Sequence, residues 1–180
     1  LGNSLNTGMV HVMQKLGKDK FRDYMLAYGL GDKTGIDLPN ETNNLVKNLN
    51  SRYEVDYATA SFGQGIALSP ISMVVALSSL ANGGFIVQPH VVHTIDSRIG
   101  LKSEIDINTQ KKRALSPKTS EEITRMLVNV VDENLLGGSV KLKNYSVAAK
   151  TGTALLLNGQ GGYHDNRFIH TFFGYFPAYD

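Results

Sequence analysis

The sequence predicts an α/β (α+β) fold, an antiparallel sheet flanked by helices. Three stretches carry that expectation: a sharply bounded apolar helix at 68–84, an amphipathic helix at 119–134, and two strand-like runs, 146–157 and 167–180, joined by a glycine-rich loop. In the helices apolar residues recur at three- and four-residue spacing, and the final runs are apolar and bounded by turn residues. With 180 residues, 42% hydrophobic and 19% charged, the chain is globular in composition and long enough to bury a sizeable core. Residues 1–180 read as one domain, without an internal repeat or a linker.

Taken in order, Met9, Met13 and Leu16 predict a first helix stopped by Gly17. Phe21, Tyr24, Met25 and Tyr28 predict a second, capped by Asp19 and ended by Gly29. "GDKTGIDLPNE" (31–41) is turn-rich and expected to be exposed. At 68–84 Ser69 suits the N-cap and Pro70 the first helical position, where a missing N–H costs nothing. Ile71, Val74, Val75, Leu77 and Leu80 spread around the axis, predicting burial on most sides until Gly83 and Gly84 end the helix. "GFIVQPHVVHTID" (84–96) reads as a strand pair or a bent strand broken by Pro89. In "TSEEITRMLVNVVDEN" (119–134) Thr119 and Glu122 have capping-box spacing, Ile123, Met126, Leu127, Val130 and Val131 form the stripe, and Gly137–Gly138 close it. "SVAAKTGTALLL" and "RFIHTFFGYFPAYD" then form a hairpin across "NGQGGYHDN".

Composition excludes several classes. The formal net charge is only +2, the cations are scattered, and "KKR" at 111–113 reads as a solvated loop, so nothing implies a nucleic-acid partner. The absence of cysteine removes disulfides, thiolate metal sites and cysteine nucleophiles. Tyr57 to Ile95 carries no Asp, Glu, Lys or Arg, but its glycines, Pro70 and Asn82 leave no run of about 20 apolar residues to span a membrane. No targeting segment is visible in "LGNSLNTG". His90 and His93 are three apart in a strand-like stretch without a third ligand, so no metal and no cofactor is implied.

The chemistry-bearing residues lie at the two ends. Lys150 sits in an otherwise uncharged strand and is followed by Thr151, Gly152 and Thr153. It is either an edge-strand lysine that discourages strand pairing or an anion ligand in a cleft. Thr151 and Thr153 share a parity opposite to that of Lys150, so serving one ligand together requires a twist or their edge-facing groups. Gly152 lets another chain or a ligand approach the backbone. An ammonium, two hydroxyls and free N–H groups make a carboxylate receptor. "AKTGT" is no P-loop, since the glycines of that motif are missing. In "GNSLNTG" (2–8) Ser4 and Asn6 are each able to cap the helix that follows. Functionally, Ser4 would relay a proton, and the Asn6 amide would hold a peptide bond by donating and accepting at once. His164 and His170 flank a loop–strand junction, as solvated histidines or as substrate contacts.

"SLN" followed by "KTG", in that order, resembles the second and third motifs of the set S-x-x-K, S-D-N and K-T-G found in β-lactamases and penicillin-binding proteins. "SLNTGMVHVMQKLG", "GLGDKTGIDLPNE", "SFGQGIALSPISMVVALSSLANGG", "AAKTGTA" and "FIHTFFGYFPA" extend the resemblance over nearly the whole chain. It is specific to the transpeptidase domain of class B penicillin-binding proteins. "ASFGQGIALSPISMV" and "GGFIVQPHVV" look more like the septal branch than the elongation branch. The resemblance implies a serine β-lactamase-like α/β fold and a D,D-transpeptidase that cross-links peptidoglycan stem peptides. In that chemistry a serine attacks the D-Ala–D-Ala bond, D-alanine leaves, and an amine of a neighbouring stem peptide takes the acyl group. β-Lactams mimic the donor. Carried over by motif, Ser4 passes a proton towards the leaving group, Lys150 tunes that step, Asn6 holds the donor backbone, and Thr151 and Thr153 bind the donor carboxylate. The Thr153 N–H, beside Gly152, is one of two oxyanion donors. The implied partners are stem peptides, β-lactams and a membrane glycosyltransferase, at the extracytoplasmic face of the bacterial membrane.

One departure matters. No qualifying S-x-x-K precedes "SLN", so the nucleophilic serine, with the first catalytic helix and the last sheet strand of the family, is expected outside residues 1–180. The isolated chain is then expected to form no penicillin adduct and to leave an apolar trench beside the helix at 70–81. The rival readings are a serine β-lactamase, which hydrolyses where the transpeptidase transfers, and a non-catalytic domain that senses β-lactams or binds cell-wall peptide.

Overall fold

The computed structural model describes residues 1–100, 102–104 and 112–179. The helices are α1 (Asn6–Leu16), α2 (Lys18–Ala27), α3 (Glu54–Ala60), α4 (Pro70–Ser78) and α5 (Pro117–Asn129). The strands are β1 (Phe85–Ile86), β2 (Thr94–Asp96), β3 (Lys102–Glu104), β4 (Lys112–Arg113), β5 (Ala148–Leu157) and β6 (Tyr163–Tyr175). Among the described residues they form three two-stranded antiparallel sheets, β1 with β4, β2 with β3, and β5 with β6. The mixed α and β character expected from the sequence is present. No helix among the described residues is long and apolar enough to cross a membrane.

Two packed regions hold the elements. In the first, α1 and α3 bury Met13 and Tyr57 with Leu49, and the Tyr57 hydroxyl is satisfied by the carbonyls of Leu49 and Ser51 at 2.9 and 3.0 Å. In the second, Leu127, Val128 and Ala148 pack with Leu80, Ile123, Tyr175 and Ala178, joining α5 to the start of β5 and the end of β6. Each leucine-sized side chain removed from water here contributes about 1.5–3 kcal/mol. The Ala178 N–H closes the same end on the Ser146 carbonyl at 2.8 Å.

Several local expectations change. α4 begins as expected, with the Ser69 side chain accepting from the Ser72 N–H and Pro70 in the first turn. It ends at Ser78, however, and its Met73 and Val74 face solvent, so it is buried on one side only. α5 starts three residues earlier than its capping-box spacing suggested. Ser116 is the cap, accepting from the Thr119 N–H at 3.1 Å, because Pro117 fixes the first helical φ. Met126 of the expected stripe is exposed, while Ser120 and Thr124 are buried. Asp19 does not cap α2; Gly17 occupies that place. The stretch 84–96 supplies β1 and β2 to two different sheets and does not pair with itself. Lys112 and Arg113, read as loop, form β4, and Arg113 lies over the Phe85 ring at 4.1 Å; Lys111 lies outside the described residues. The final hairpin turns within 158–162, since Tyr163 to Asn166 already belong to β6.

The turn-rich stretch 31–41 is exposed as expected, yet tied down by carboxylates. Asp37 accepts from the Val91 and Val92 N–H groups at 2.7 and 2.8 Å. Glu41 accepts from the Thr34 N–H and hydroxyl, both at 2.6 Å, and from the Gly35 N–H at 3.1 Å.

Candidate active site

β5 is a strand of two halves. Ala148 and Ala149 are 0% and 1% exposed, and from Lys150 onwards the strand alternates between half-buried and exposed residues. Its register with β6 sets Lys150 opposite Phe173, Thr151 opposite Phe172, Gly152 opposite Thr171 and Thr153 opposite His170. The small residues at the start of β5 allow α5 to pack close, and this fixes the strand that carries Lys150. At Gly152 a Cβ would collide with the Thr171 hydroxyl. The chain that needs the room is therefore β6, and glycine at 152 keeps the hairpin closed next to the lysine.

The turn at the other end of the chain meets this strand. Ser4 has φ of 48° and donates its N–H to the Leu1 carbonyl at 3.1 Å. Such a left-handed conformation costs a non-glycine residue about 1–3 kcal/mol, and it occurs preferentially where side chains are aimed for a purpose. Gly2 lies against the Asn134 side chain so closely that a Cβ would overlap it. Asn134 ends a π-helical turn, Val130–Asn134, that follows α5, buries Val130 and Val131 and packs on β5. Turns of this kind are frequent at functional sites. α5, its π turn and β5 thus form the frame against which the Ser4 turn is set.

Lys150 Nζ donates to Ser4 Oγ at 2.5 Å across 146 positions of sequence. It also donates to the Thr151 carbonyl at 2.9 Å and reaches Thr151 Oγ1 at 3.5 Å. The long lysine side chain resolves the parity difficulty, because its ammonium swings to the Thr151 groups although its Cβ points the other way. An ammonium only donates, so Ser4 accepts from it and keeps its own hydroxyl proton free for a second group. The bond is charge-assisted and holds positive potential at the serine oxygen. Thr153 Oγ1 lies 3.4 Å from His170 Nδ1.

Of the residues singled out in the sequence, Ser4, Lys150 and Thr151 meet directly. Gly152 lies between Thr151 and Thr153 in β5. Asn6 opens α1 two residues after Ser4 and is exposed. Neither Ser4 nor Asn6 caps α1: Leu5 occupies the cap position, and no side-chain hydrogen bond is made there. His170, left open by the sequence, comes to Thr153 through the strand register. His164 lies at the distal end of β6. A depression of about 470 Å³, lined by Asp23, Asp32, Asn50 and Lys112 among others, holds none of these residues.

The family model "Penicillin binding protein transpeptidase domain" matches residues 1–180. The chain belongs to the penicillin-binding protein transpeptidase family. It is 37% identical over 181 residues to stage V sporulation protein D of Bacillus subtilis, covering 99% of this chain and 27% of that protein. It is 32% identical over 197 residues to the peptidoglycan D,D-transpeptidase FtsI homolog of Mesostigma viride, covering 98% and 32%. This transpeptidase-family chain therefore spans about a third or less of the length of these curated relatives. In structure it matches penicillin binding protein 3 of Mycobacterium tuberculosis, solved with ampicillin, at a TM-score of 0.87 and 29% identity, over 96% of this chain and 40% of that one.

Proposed function

We propose that the protein is a septal peptidoglycan D,D-transpeptidase whose site is formed by Ser4, Asn6, Lys150, Thr151, Gly152 and Thr153. The observation that carries this reading is the Lys150–Ser4 hydrogen bond, made between the ends of a chain that matches the transpeptidase family throughout. Lys150 keeps the Ser4 oxygen in positive potential, so Ser4 passes a proton towards the departing D-alanine amine. Thr151 and Thr153 receive the donor's terminal carboxylate, and the Thr153 N–H faces the oxyanion as the acyl group forms. Asn6 holds the donor's peptide bond. The nucleophile is a serine supplied by a part of the protein that precedes Ser4. Residues 1–180 belong to a single transpeptidase domain, anchored at the extracytoplasmic face of the membrane and working beside a glycosyltransferase. β-Lactams occupy the donor position. The names of the relatives, a D,D-transpeptidase and a sporulation protein, favour septal transfer over β-lactamase hydrolysis or passive sensing.

The test uses the full-length protein. Incubation with a fluorescent penicillin, denaturation and electrophoresis is expected to give a covalent band. A stem peptide ending in D-Ala–D-Ala, with an amine acceptor, is expected to release D-alanine and yield the cross-linked product. Release with hydrolysis alone would move the assignment to the β-lactamase type, and neither band nor release would end it.

A further inference from the structure

His170 belongs to β6, directly across the hairpin from Thr153, so the two side chains share one face. Both are exposed. The imidazole Nδ1 lies 3.4 Å from Thr153 Oγ1, and the Phe168 ring lies beside the imidazole, with centroids 6.1 Å apart. Along this edge the polar groups run from Ser4 Oγ to Lys150 Nζ, to Thr151 Oγ1, and then from Thr153 Oγ1 to His170 Nδ1. The two threonine hydroxyls are thus flanked by the lysine ammonium at one end and the imidazole at the other.

We propose that His170 is a positioning residue for anion recognition, acting through the Thr153 hydroxyl. A hydroxyl has one proton. If Nδ1 accepts, the Thr153 proton is spent on the imidazole and only lone pairs face the ligand. If Nδ1 carries a hydrogen and donates, the Thr153 proton is free for a carboxylate. The tautomer of His170 therefore decides whether Thr153 is a donor or an acceptor towards the ligand. The Nδ1–H form makes it a donor beside Lys150 and Thr151, as an anionic substrate requires. This inference rests on the carboxylate-receptor role assigned above.

The test is a series at position 170 in the full-length protein. Acylation by ampicillin is followed, with the pre-covalent dissociation constant separated from the acylation rate constant. H170L removes the donor that holds the Thr153 hydroxyl in its donating orientation and is expected to weaken pre-covalent binding about fivefold, the scale of one neutral hydrogen bond. H170N places an amide N–H near the Nδ1 position and is expected to restore most of that loss. H170D presents only an acceptor and a negative charge, and is expected to bind more weakly than H170L. With a carboxyl ester of ampicillin the ranking of the variants is expected to collapse. Wild-type-like binding in H170L, or equal losses in all three variants, would overturn the role of His170 while leaving the transpeptidase reading in place. Failure of the wild-type protein to acylate would overturn both.

Discussion

Two polar clusters each join segments far apart in sequence, and they differ in depth. Asn44 is buried. Its Nδ2 donates to the Leu30 carbonyl at 3.1 Å, the Asp32 carbonyl at 3.4 Å and Ser72 Oγ at 3.0 Å, and its Oδ1 accepts from the Ser69 N–H at 2.9 Å. One amide thereby ties the turn after α2 to the capped start of α4. The Lys150–Ser4 pair joins more distant segments and has only its frame buried; Ser4 is exposed and Lys150 half-buried. In the first cluster every polar atom is taken by protein, so its worth is stability. In the second, the Ser4 proton remains available for a further partner, as the proposed proton relay requires. A polar network becomes structural when nothing is left over for a ligand.

Exchanging the readouts sharpens the contrast. In the full-length protein K150A is expected to lower acylation by penicillin about 10²–10³-fold, the range for a general acid–base or electrostatic group. Its effect on unfolding is expected to stay within about 0.5 kcal/mol, as for a surface substitution. N44A leaves the Leu30 and Asp32 carbonyls and the Ser69 N–H without the partner that Asn44 supplies. It is expected to cost about 3 kcal/mol, measured by denaturant unfolding, with the acylation rate per folded molecule preserved. A large stability loss in K150A, or an intact fold with lost acylation in N44A, would break the distinction.

The sequence makes these clusters unequally legible. The order of "SLN" and "KTG" pointed to Ser4 and Lys150 because the family resemblance is carried by short motifs that contain them. The cap of α4 was readable because Ser69 and Pro70 act locally. Asn44 gave no signal: its four contacts come from two segments distant in sequence, and an asparagine in a polar stretch looks like a turn residue. His170 was visible as a histidine but not as a neighbour of Thr153, since that depends on hairpin register, set by where the chain turns within 158–162. The start of α5 was misplaced because two capping signals lie three residues apart, and Pro117 decides in favour of Ser116. Of the short strands, β1 and β2 lie within the strand-like stretch 84–96, but their partners β4 and β3 were missed, because pairs of two or three residues are fixed by tertiary contacts and have too few residues to show a period.

A third cluster joins two buried hydroxyls to a half-buried one. Ser120 Oγ donates to the Leu80 carbonyl at 2.6 Å, Thr124 Oγ1 donates to the same carbonyl at 3.3 Å, and the Tyr175 hydroxyl lies 2.6 Å from Thr124 Oγ1. Thr124 has spent its proton on Leu80, so Tyr175 donates to it. Burial raises the Tyr175 pKa above its ordinary value, which keeps this donor protonated. T124V strands the tyrosine hydroxyl and is expected to cost about 1–2 kcal/mol, and Y175F about 0.5–1 kcal/mol. Both are expected to leave penicillin acylation within about twofold, because the Leu80 carbonyl keeps Ser120 and β5 keeps its register. Thermal unfolding and acylation measured on the same preparations check the pair, and a larger loss in Y175F than in T124V would reverse the assigned donor.

The smallest effect is expected at the carboxylate-tied loop, where polar groups are satisfied yet exposed. The Val92 and Val91 N–H groups hold the Asp37 carboxyl below its ordinary pKa, and the Thr34 hydroxyl and N–H, with the Gly35 N–H, do the same for Glu41. A carboxyl whose folded pKa is depressed stabilises the fold fully above its unfolded value and loses that contribution as pH falls through the folded value. Residues 31–41 and 88–92 are therefore expected to keep unchanged hydrogen-exchange protection at neutral pH and down to about pH 5, and to lose it progressively below about pH 4. The double variant D37N/E41Q carries neutral side chains at every pH. It is expected to exchange faster in these segments already at neutral pH, and to show little further change on acidification, while protection of the Asn44 cluster stays at the wild-type level. Equal acid sensitivity in the wild type and the double variant would assign the loosening to other carboxylates.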